Sequence, residues 1–368
     1  SLTSPGSHWP KASSRPSFHQ ARSLSRGHTD EWCLAHLVAE QYENIDHYPI
    51  VAKSVSPLGE IRRSFQIFKA LPHALANMFW INAILDAVKE NGAGVLLTGQ
   101  MGNSTISWSG GSQRILWLFS QGRWCEGKRA LIEWKKARGK SLLMALMYHL
   151  IGPITFPIRR KLGKSSGLFL PKYSKYSIIS PDFANQAGVC SFSRAGFGKY
   201  FRLKALDPNE ERRFIINKNA PEAGPFWQGC SSFFGVEVRD PTTDVRLLEF
   251  CMGIPNEEYA YKGGDRMLIR RTMSGIVPDK VRWNQIRGSQ AADIGFRLLE
   301  HGREVESELR EIENSKMIKN YLCVSTMREV WENFKAHQTP QNSFWLATLF
   351  LRGFSAGVFL RFHFLRNS

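Results

Sequence analysis

Paired metal-ligand motifs are missing from this sequence. Its six cysteines, at positions 33, 125, 190, 230, 251 and 323, form no Cys-x-x-Cys pair and have no zinc-type spacing to histidine. A zinc centre and a disulfide framework are therefore both poorly supported, and a reducing compartment is the simplest interpretation. Residues 1–27 also lack the apolar segment of a signal peptide, so we predict a cytoplasmic protein.

Long apolar runs are scarce as well. The longest uncharged apolar stretch, residues 141–158, contains Gly152, Pro153 and Pro157, whereas a transmembrane helix needs about 20 apolar residues. We predict a buried helix followed by a turn there, and no membrane span. Residues 1–27 have almost no apolar pattern, and we expect them to be disordered or non-native.

Acidic residues are too few to balance the basic ones. The chain of 368 residues carries a net charge of +17, and thirteen Lys or Arg stand against two Glu between Arg123 and Lys175. Such a block can attract nucleic acid, anionic lipid or an acidic substrate. A solvated helical surface is the simpler interpretation, and we expect no nucleic-acid partner.

The remaining sequence has the composition and periodicity of an α/β protein. Hydrophobic residues make up 43%, which is enough for a large core. Segments 45–51 and 95–98 are typical of strands, and Phe79 to Glu90 is typical of an amphipathic helix. This alternation predicts a parallel sheet with crossover helices. Residues 120–230 are predicted to be helical and irregular, with Gly and Pro breaks at 152–157 and 221–225, and residues 244–360 to be helical.

The stretch from Gly235 to Arg271 carries the most specific pattern. It reads Gly-Val-Glu-Val-Arg-Asp-Pro-Thr-Thr-Asp, and a Gly-Gly-Asp-Arg-Met-Leu-Ile-Arg-Arg segment follows. Pro241 should end a short strand. Asp244 should cap the next helix, and a second helix should open with Asp265 in its first turn and Arg266 pointing outward.

This order resembles the synthetase domain of the glutamine-dependent asparagine synthetases, which carry Gly-Val-Glu-x-Arg-x-Pro-Phe-Leu-Asp followed by a Lys-x-x-Leu-Arg helix. Arg239, Pro241 and Asp244 match that signature, and Arg266 stands where the family has Lys. Residues 277–283, Val-Pro-Asp-Lys-Val-Arg-Trp, resemble a further family element, with Arg287-Gly288 in place of its basic-Gly turn. The resemblance implies an adenine-nucleotide-binding, PP-loop-like α/β part at 28–120 and a mainly helical part at 121–368.

The resemblance also points to site residues. Thr98-Gly99-Gln100-Met101-Gly102-Asn103-Ser104 is similar to the family's Ser-Gly-Glu-Gly-Ala-Asp-Glu loop. Here Gln100 replaces the catalytic Glu of the family, and Asn103 replaces an Asp. An amide side chain cannot act as a general base. If the roles of the family apply at the matching positions, Gln100 and Arg266 are the catalytic candidates. The resemblance then implies nucleotide binding by Leu97, Thr98, Gly99 and Asn103. Arg239 and Asp244 are expected to be scaffold, pairing with each other or capping.

A Ser-Gly-Gly-x-Asp-Ser pyrophosphate loop is not found, and Ser109-Gly110-Gly111 is interpreted as a turn. No segment resembles the family's glutaminase half, so ammonia would come from a glutaminase domain absent here. The resemblance implies an ATP- and Mg²⁺-dependent ligase that activates aspartate as an acyl-adenylate. A peptide carboxylate, as in lasso-peptide cyclases, and a non-catalytic nucleotide-binding relative remain alternatives, and a homodimer is left open.

Overall fold

A computed structural model of the protein describes residues 15–20, 31–50, 55–72, 75–152, 177–189, 207–285, 290–291, 293–336 and 340–364. Part of the 1–27 segment, and Arg287-Gly288, lie outside the described residues. Arg15–Gln20, within that segment, forms a strand, β1.

Most of the described chain is helical. The N-terminal half contains α1 Trp32–Glu40, α2 Pro57–Phe68, α3 Met78–Glu90, α4 Arg114–Ser120, α5 Trp124–Arg138 and α6 Leu142–Leu146, which runs on as a π-helical turn, Met147–Ile151. Next come α7 Pro181–Gln186, α8 Pro208–Phe234, α9 Val245–Gly253, α10 Asn256–Tyr259, α11 Met267–Thr272 and α12 Asp279–Arg282. The C-terminal group is α13 Ile294–Glu300, α14 Gly302–Asn314, α15 Lys316–Tyr321, α16 Val324–Ala336 and α17 Pro340–Phe364. The break expected at 221–225 is wrong, because α8 continues through Pro221 and Pro225.

The strands form two small parallel sheets instead of the one sheet expected. β1 pairs with β2, Ile45–Ile50, with Arg15 opposite Ile45. β3, Val95–Leu97, pairs with β4, Glu237–Arg239, with Leu97 opposite Arg239. A larger parallel sheet needs cover on both faces, yet β3 leaves Val95 44% and Leu97 63% exposed. The parallel direction is confirmed, but a continuous crossover sheet is not found in the described residues.

The largest core joins α2 and α3 to the C-terminal helices. Trp331 of α16 stacks on Phe350 of α17 with ring centroids 4.7 Å apart, and Phe354 continues the stack at 5.1 Å. These three side chains are 0% exposed, and burial of each contributes about 1.5–3 kcal/mol. The terminal part of the region predicted to be helical, 244–360, is therefore a packed helix.

A second core lies on the other side of α3 and supports the β3–β4 sheet. Leu85 and Val88 of α3 pack with Phe226 and Phe234 of α8 and with Val236, which directly precedes β4. Since α3 contributes to both cores, it connects the C-terminal helices to the sheet.

A third, smaller core is formed by α4, α5 and α6, and it corrects one expectation. In segment 142–151, Ala145 at 0% and His149 at 8% exposure are buried and Leu146 packs partly against the same core, whereas Leu143 and Tyr148 are 68% and 66% exposed. The predicted buried helix is thus buried on one side only, where it packs on α4 and α5. Residues 153–158 lie outside the described part. No helix in the described part of the chain is both long and apolar enough to cross a membrane.

His149 makes the stability of this third core dependent on pH. Its ring packs edge-on against Trp134 with centroids 4.6 Å apart. Burial, with a smaller effect of the Arg138 charge, lowers the pKa of His149 from 6.5 to about 4. The unfolded chain therefore binds a proton more readily than the folded chain, and stability decreases as pH falls from about 6.5 towards 4.

We predict that His149→Gln reduces this loss of stability on acidification. The urea midpoint of the variant should fall less between pH 7 and pH 4.5 than that of the unmodified chain. His301→Gln, at a more exposed position with 28% of its side chain accessible, is the control and should keep the full decrease. Equal decreases in all three proteins would contradict the prediction.

Candidate functional site

The loop after β3 meets the segment after β4 at the carboxyl ends of two parallel strands. Thr98 N–H donates to the Arg239 carbonyl at 2.8 Å, which extends the pairing by one residue. The helical turn Gln100–Ser104 then lies on the turn Pro241–Thr243. Leu97, Thr98 and Gly99 are therefore brought beside Arg239, at the edge where ligands of parallel sheets bind.

Asp240 joins the two segments, and our sequence analysis missed it. Its Oδ2 accepts a hydrogen bond from Met101 N–H at 2.9 Å. Its Oδ1 accepts from the Thr242 amide at 2.9 Å and the Thr242 hydroxyl at 2.5 Å. An Asp directly before a Pro-initiated turn is a recognisable signal for such side-chain-to-backbone bonds.

The two amides of the loop are exposed. The Gln100 Oε1 accepts from Trp227 Nε1 of α8 at 2.8 Å, so its carbonyl oxygen is oriented towards α8. Asn103 is exposed on the same turn. Thr98 Oγ1, in contrast, is buried and has no hydrogen-bond partner among the described residues. The loop thus combines solvent-facing amides with one buried hydroxyl that can still bind a polar group.

Arg239 and Asp244 do not pair with each other, which corrects one of our two expectations. Arg239 pairs with Glu237 two residues earlier, at 2.7 Å. Asp244 caps α9 by accepting from Arg246 N–H at 2.9 Å, so the capping role is confirmed. Hydrogen bonds from Arg246 lower the pKa of Asp244 to about 2.

Arg212 of α8 holds the end of the loop from beneath. It is 0% exposed, and its guanidinium donates to the carbonyls of Ser104 at 2.6 Å, Thr105 at 2.9 Å and Cys251 at 2.8 Å. Burial raises the pKa of Tyr259 to about 12, and its protonated hydroxyl donates to the same Cys251 carbonyl at 2.8 Å. Arg212 therefore connects the loop after β3 to the end of α9.

Arg266 lies elsewhere, on the wall of a cavity of about 560 Å³. The helix it precedes begins at Met267, not at Asp265, and Arg266 adopts a left-handed conformation with φ 56° at the N-cap. The expectation that it points outward is wrong, because its side chain borders the cavity and is only partly exposed.

Positive charge predominates on the cavity wall. Its charged lining residues are four arginines and two carboxylates, namely Arg138, Arg266, Arg270, Arg282, Glu31 and Asp265. Trp283 also lines the cavity, with Arg282 stacked over its ring at 5.0 Å. A partly enclosed, cationic surface concentrates anions, so phosphate and carboxylate groups are the ligands that fit.

Backbone contacts hold the arginines in place. Arg270 Nη1 donates to the Arg282 carbonyl at 2.6 Å, and Arg282 Nη1 donates to the Arg270 carbonyl at 2.9 Å. Arg138, at the end of α5, donates to the Gly263 carbonyl at 3.0 Å. Gly263 has φ 76°, and a Cβ there would lie 2.3 Å from the Glu133 carbonyl oxygen. The glycine therefore allows α5 to bring Arg138 to the cavity.

The cavity and the loop after β3 are neighbours and not one pocket. Ser107 lines the cavity, and its N–H donates to the Gly102 carbonyl of the loop at 2.8 Å. Among the described residues, the cavity lining includes Arg266 but none of 97–103. The Arg282-Trp283 part of the 277–283 motif was found from sequence, whereas Arg138 was recognisable only as one member of the basic block.

We predict that Arg212→Met costs at least about 3 kcal/mol of unfolding free energy, because it leaves several buried carbonyls without donors. Arg213→Met is the matched control. Arg213 is 62% exposed and pairs with Glu210, so its loss should cost less than about 1 kcal/mol. Urea unfolding measures both changes, and similar costs at the two positions would show that the buried guanidinium is dispensable.

Comparison with known proteins agrees with this geometry. The family model described as Asparagine synthase matches residues 16–352. No curated protein and no solved structure gives a significant match. The matched region begins inside β1 and ends inside α17, so it includes both sheets, the loop after β3 and the arginine-lined cavity. The chain therefore belongs to the asparagine synthase family.

Proposed function

We propose that the chain is an ATP-dependent ligase that activates the side-chain carboxylate of aspartate for amide formation. The observation that carries this proposal is the cavity where Arg266, the counterpart of the family's Lys, lies with three further arginines. A polyphosphate suits this site because Arg266 and Arg138 can both contact its oxygens. Arg270 and Arg282 donate to backbone carbonyls and Asp279, so they contribute positive charge and shape.

The reaction requires two steps. The carboxylate oxygen attacks the α-phosphorus of ATP, and the bond to pyrophosphate breaks, which leaves an acyl-adenylate and pyrophosphate. Ammonia then attacks the acyl carbon, AMP leaves, and one proton is released. Positive groups that hold the departing pyrophosphate lower the barrier of the first step, and we assign this role to Arg266, with Arg138 beside it.

We further propose that the loop after β3 binds the nucleotide portion of ATP. The buried Thr98 hydroxyl, which has no hydrogen-bond partner among the described residues, and the backbone of Gly99 lie at the carboxyl end of β3. We assign Leu97, Thr98, Gly99 and Asn103 to nucleotide binding. Gln100 cannot take up a proton at neutral pH, so its role here is to orient a substrate by hydrogen bonding and not to act as a base.

Mg²⁺ is proposed as the companion of the ATP phosphates. Among the described residues, no group of three or more His, Cys, Asp or Glu could hold a metal ion. Asp265, on the cavity wall, is the carboxylate nearest to Arg266 in sequence and is 3.8 Å from Arg138. Because Asp265 pairs with both Arg138 and Arg270, the ion would be held mainly by the ATP phosphates, whose charge it would neutralise.

A non-catalytic, nucleotide-binding relative is the second candidate. It is favoured by the exposed amides of Gln100 and Asn103, which stand where the family carries carboxylates. This candidate shares the binding of ATP with the proposed ligase but not the release of pyrophosphate.

We predict that the chain releases pyrophosphate with ATP, Mg²⁺, aspartate and ammonia, and that Arg266→Met lowers the rate about 100-fold, as expected for loss of one charge-stabilising donor. Arg246→Met is the control. Arg246 is 91% exposed and pairs with Asp244 on α9, so its replacement should leave the rate within about twofold.

Calorimetric titration with ATP distinguishes the remaining outcomes. Binding of ATP without pyrophosphate release would support the non-catalytic relative. Release that needs a peptide carboxylate in place of aspartate would contradict the substrate but keep the activation step. Absence of ATP binding would contradict the proposed function as a whole.

A further inference from the structure

Segment 142–151 exposes most of its large apolar side chains, while Ala145 and Leu146 pack inward. Leu142, Leu143, Met144, Met147, Tyr148 and Ile151, here called the apolar ridge, are 40–68% exposed. Positions 143, 147 and 151 lie four residues apart, and 144 and 148 lie beside them, so they share one side of the helix. Scattered single apolar residues on a surface are normal, whereas a contiguous stripe indicates an interaction site.

Side chains of α5 and α6 pack beneath the ridge. Ser141 caps α6 by accepting from Met144 N–H at 3.2 Å. Trp134 of α5 stacks on Tyr148 with ring centroids 5.6 Å apart, and Ala145 is 0% exposed beneath. The inward positions are thus already filled by Ala145, Leu146 and His149.

Basic residues flank the ridge. The exposed Lys and Arg of α5 and of the turn that joins it to α6 are Lys128, Arg129, Lys136, Arg138 and Lys140. Lys140 directly precedes the cap of α6. The carboxylates of this helix are Glu126, which pairs with Arg123, and Glu133. An apolar ridge with one sign of charge beside it calls for a partner that is both apolar and anionic.

We propose that the apolar ridge is a peripheral docking site for an anionic lipid surface, with the ridge inserted at the boundary of headgroups and acyl chains. Helices with an apolar face and flanking Lys or Arg bind membranes in this way without spanning them. Anionic headgroups attract the basic residues, while the acyl chains cover the leucine, methionine and tyrosine side chains.

The observations favour lipid over a second copy of the chain or another protein. A two-fold contact through the ridge would bring two basic α5 helices together, and like charges oppose such pairing. Protein partners of an apolar helix usually supply or require a groove. A lipid surface needs no complementary shape and accepts a protruding ridge.

Co-sedimentation of the full chain with vesicles tests the proposal. We expect binding to vesicles of phosphatidylcholine with about one third phosphatidylserine to exceed binding to pure phosphatidylcholine at least tenfold, and to weaken with salt. The double variant Leu143→Gln, Tyr148→Gln should bind at least tenfold more weakly. Its control is Val245→Gln, Phe250→Gln, because these residues on α9 are 66% and 67% exposed, and it should bind like the unmodified chain.

A second pair of variants tests the charges. Lys136→Gln, Lys140→Gln should lose most of the preference for anionic vesicles, whereas Lys316→Gln, Lys319→Gln, exposed on α15, should keep it. Arg138 is left unchanged because it lines the cavity. Circular dichroism melting confirms that each variant folds.

Three results would overturn the proposal. The first is equal or absent binding to both kinds of vesicle. The second is undiminished vesicle binding by the Leu143→Gln, Tyr148→Gln variant. Binding would then depend on charge alone, as binding to nucleic acid also does. The third is self-association or binding of an acidic protein through the ridge without any binding to vesicles.

Discussion

The hydrogen bonds of the buried Arg212 guanidinium are the interaction on which the loop after β3 depends. Arg212 lies within α8, the longest helix described, and it binds carbonyls from the loop after β3 and from α9. A buried charge is costly unless its donors are satisfied. Here the backbone carbonyls satisfy it, with Trp108 and Tyr259 rings at 5.8 and 4.9 Å. The loop is therefore positioned from α8, while Asp240 positions it from the segment after β4.

Helix α5 connects the two surfaces that we assign to ligands. Its last residue, Arg138, borders the cavity and lies over the ring of Trp134 at 5.0 Å. Trp134 in turn supports Tyr148 of the apolar ridge and the buried His149. The exposed cations of α5 can therefore contribute to both surfaces. Its C-terminal end borders the cavity, and the rest of the helix lies beside the apolar ridge.

Local sequence patterns predicted the helices and strands that are stabilised by residues close together in the chain. Phe79 to Glu90 was found as a helix because apolar spacing defines its buried face, and Asp244 was found as a cap because a carboxylate can satisfy free N–H groups at a helix start. The apolar segment Val95–Leu97 likewise located β3, and the segment that begins at Ile45 located β2. Pro221 and Pro225 predicted a break that α8 does not have, because the burial of Phe226 and Phe234 in the second core outweighs the local cost of proline in a helix.

The sequence by itself determined the family, through the resemblance of its motifs, and several of the helices and strands. These depend on residues close together in the chain, so local patterns are enough to recognise them. Only the tertiary structure decided that the strands form two small sheets, that Arg266 joins Arg138, Arg270 and Arg282 around a cavity, and that Asp240 and Arg212 hold the loop after β3. Each of these depends on contacts between residues far apart in the chain. The same holds for the apolar ridge, because the packing of Ala145 and Leu146 on α4 and α5 decides which side of the segment stays exposed.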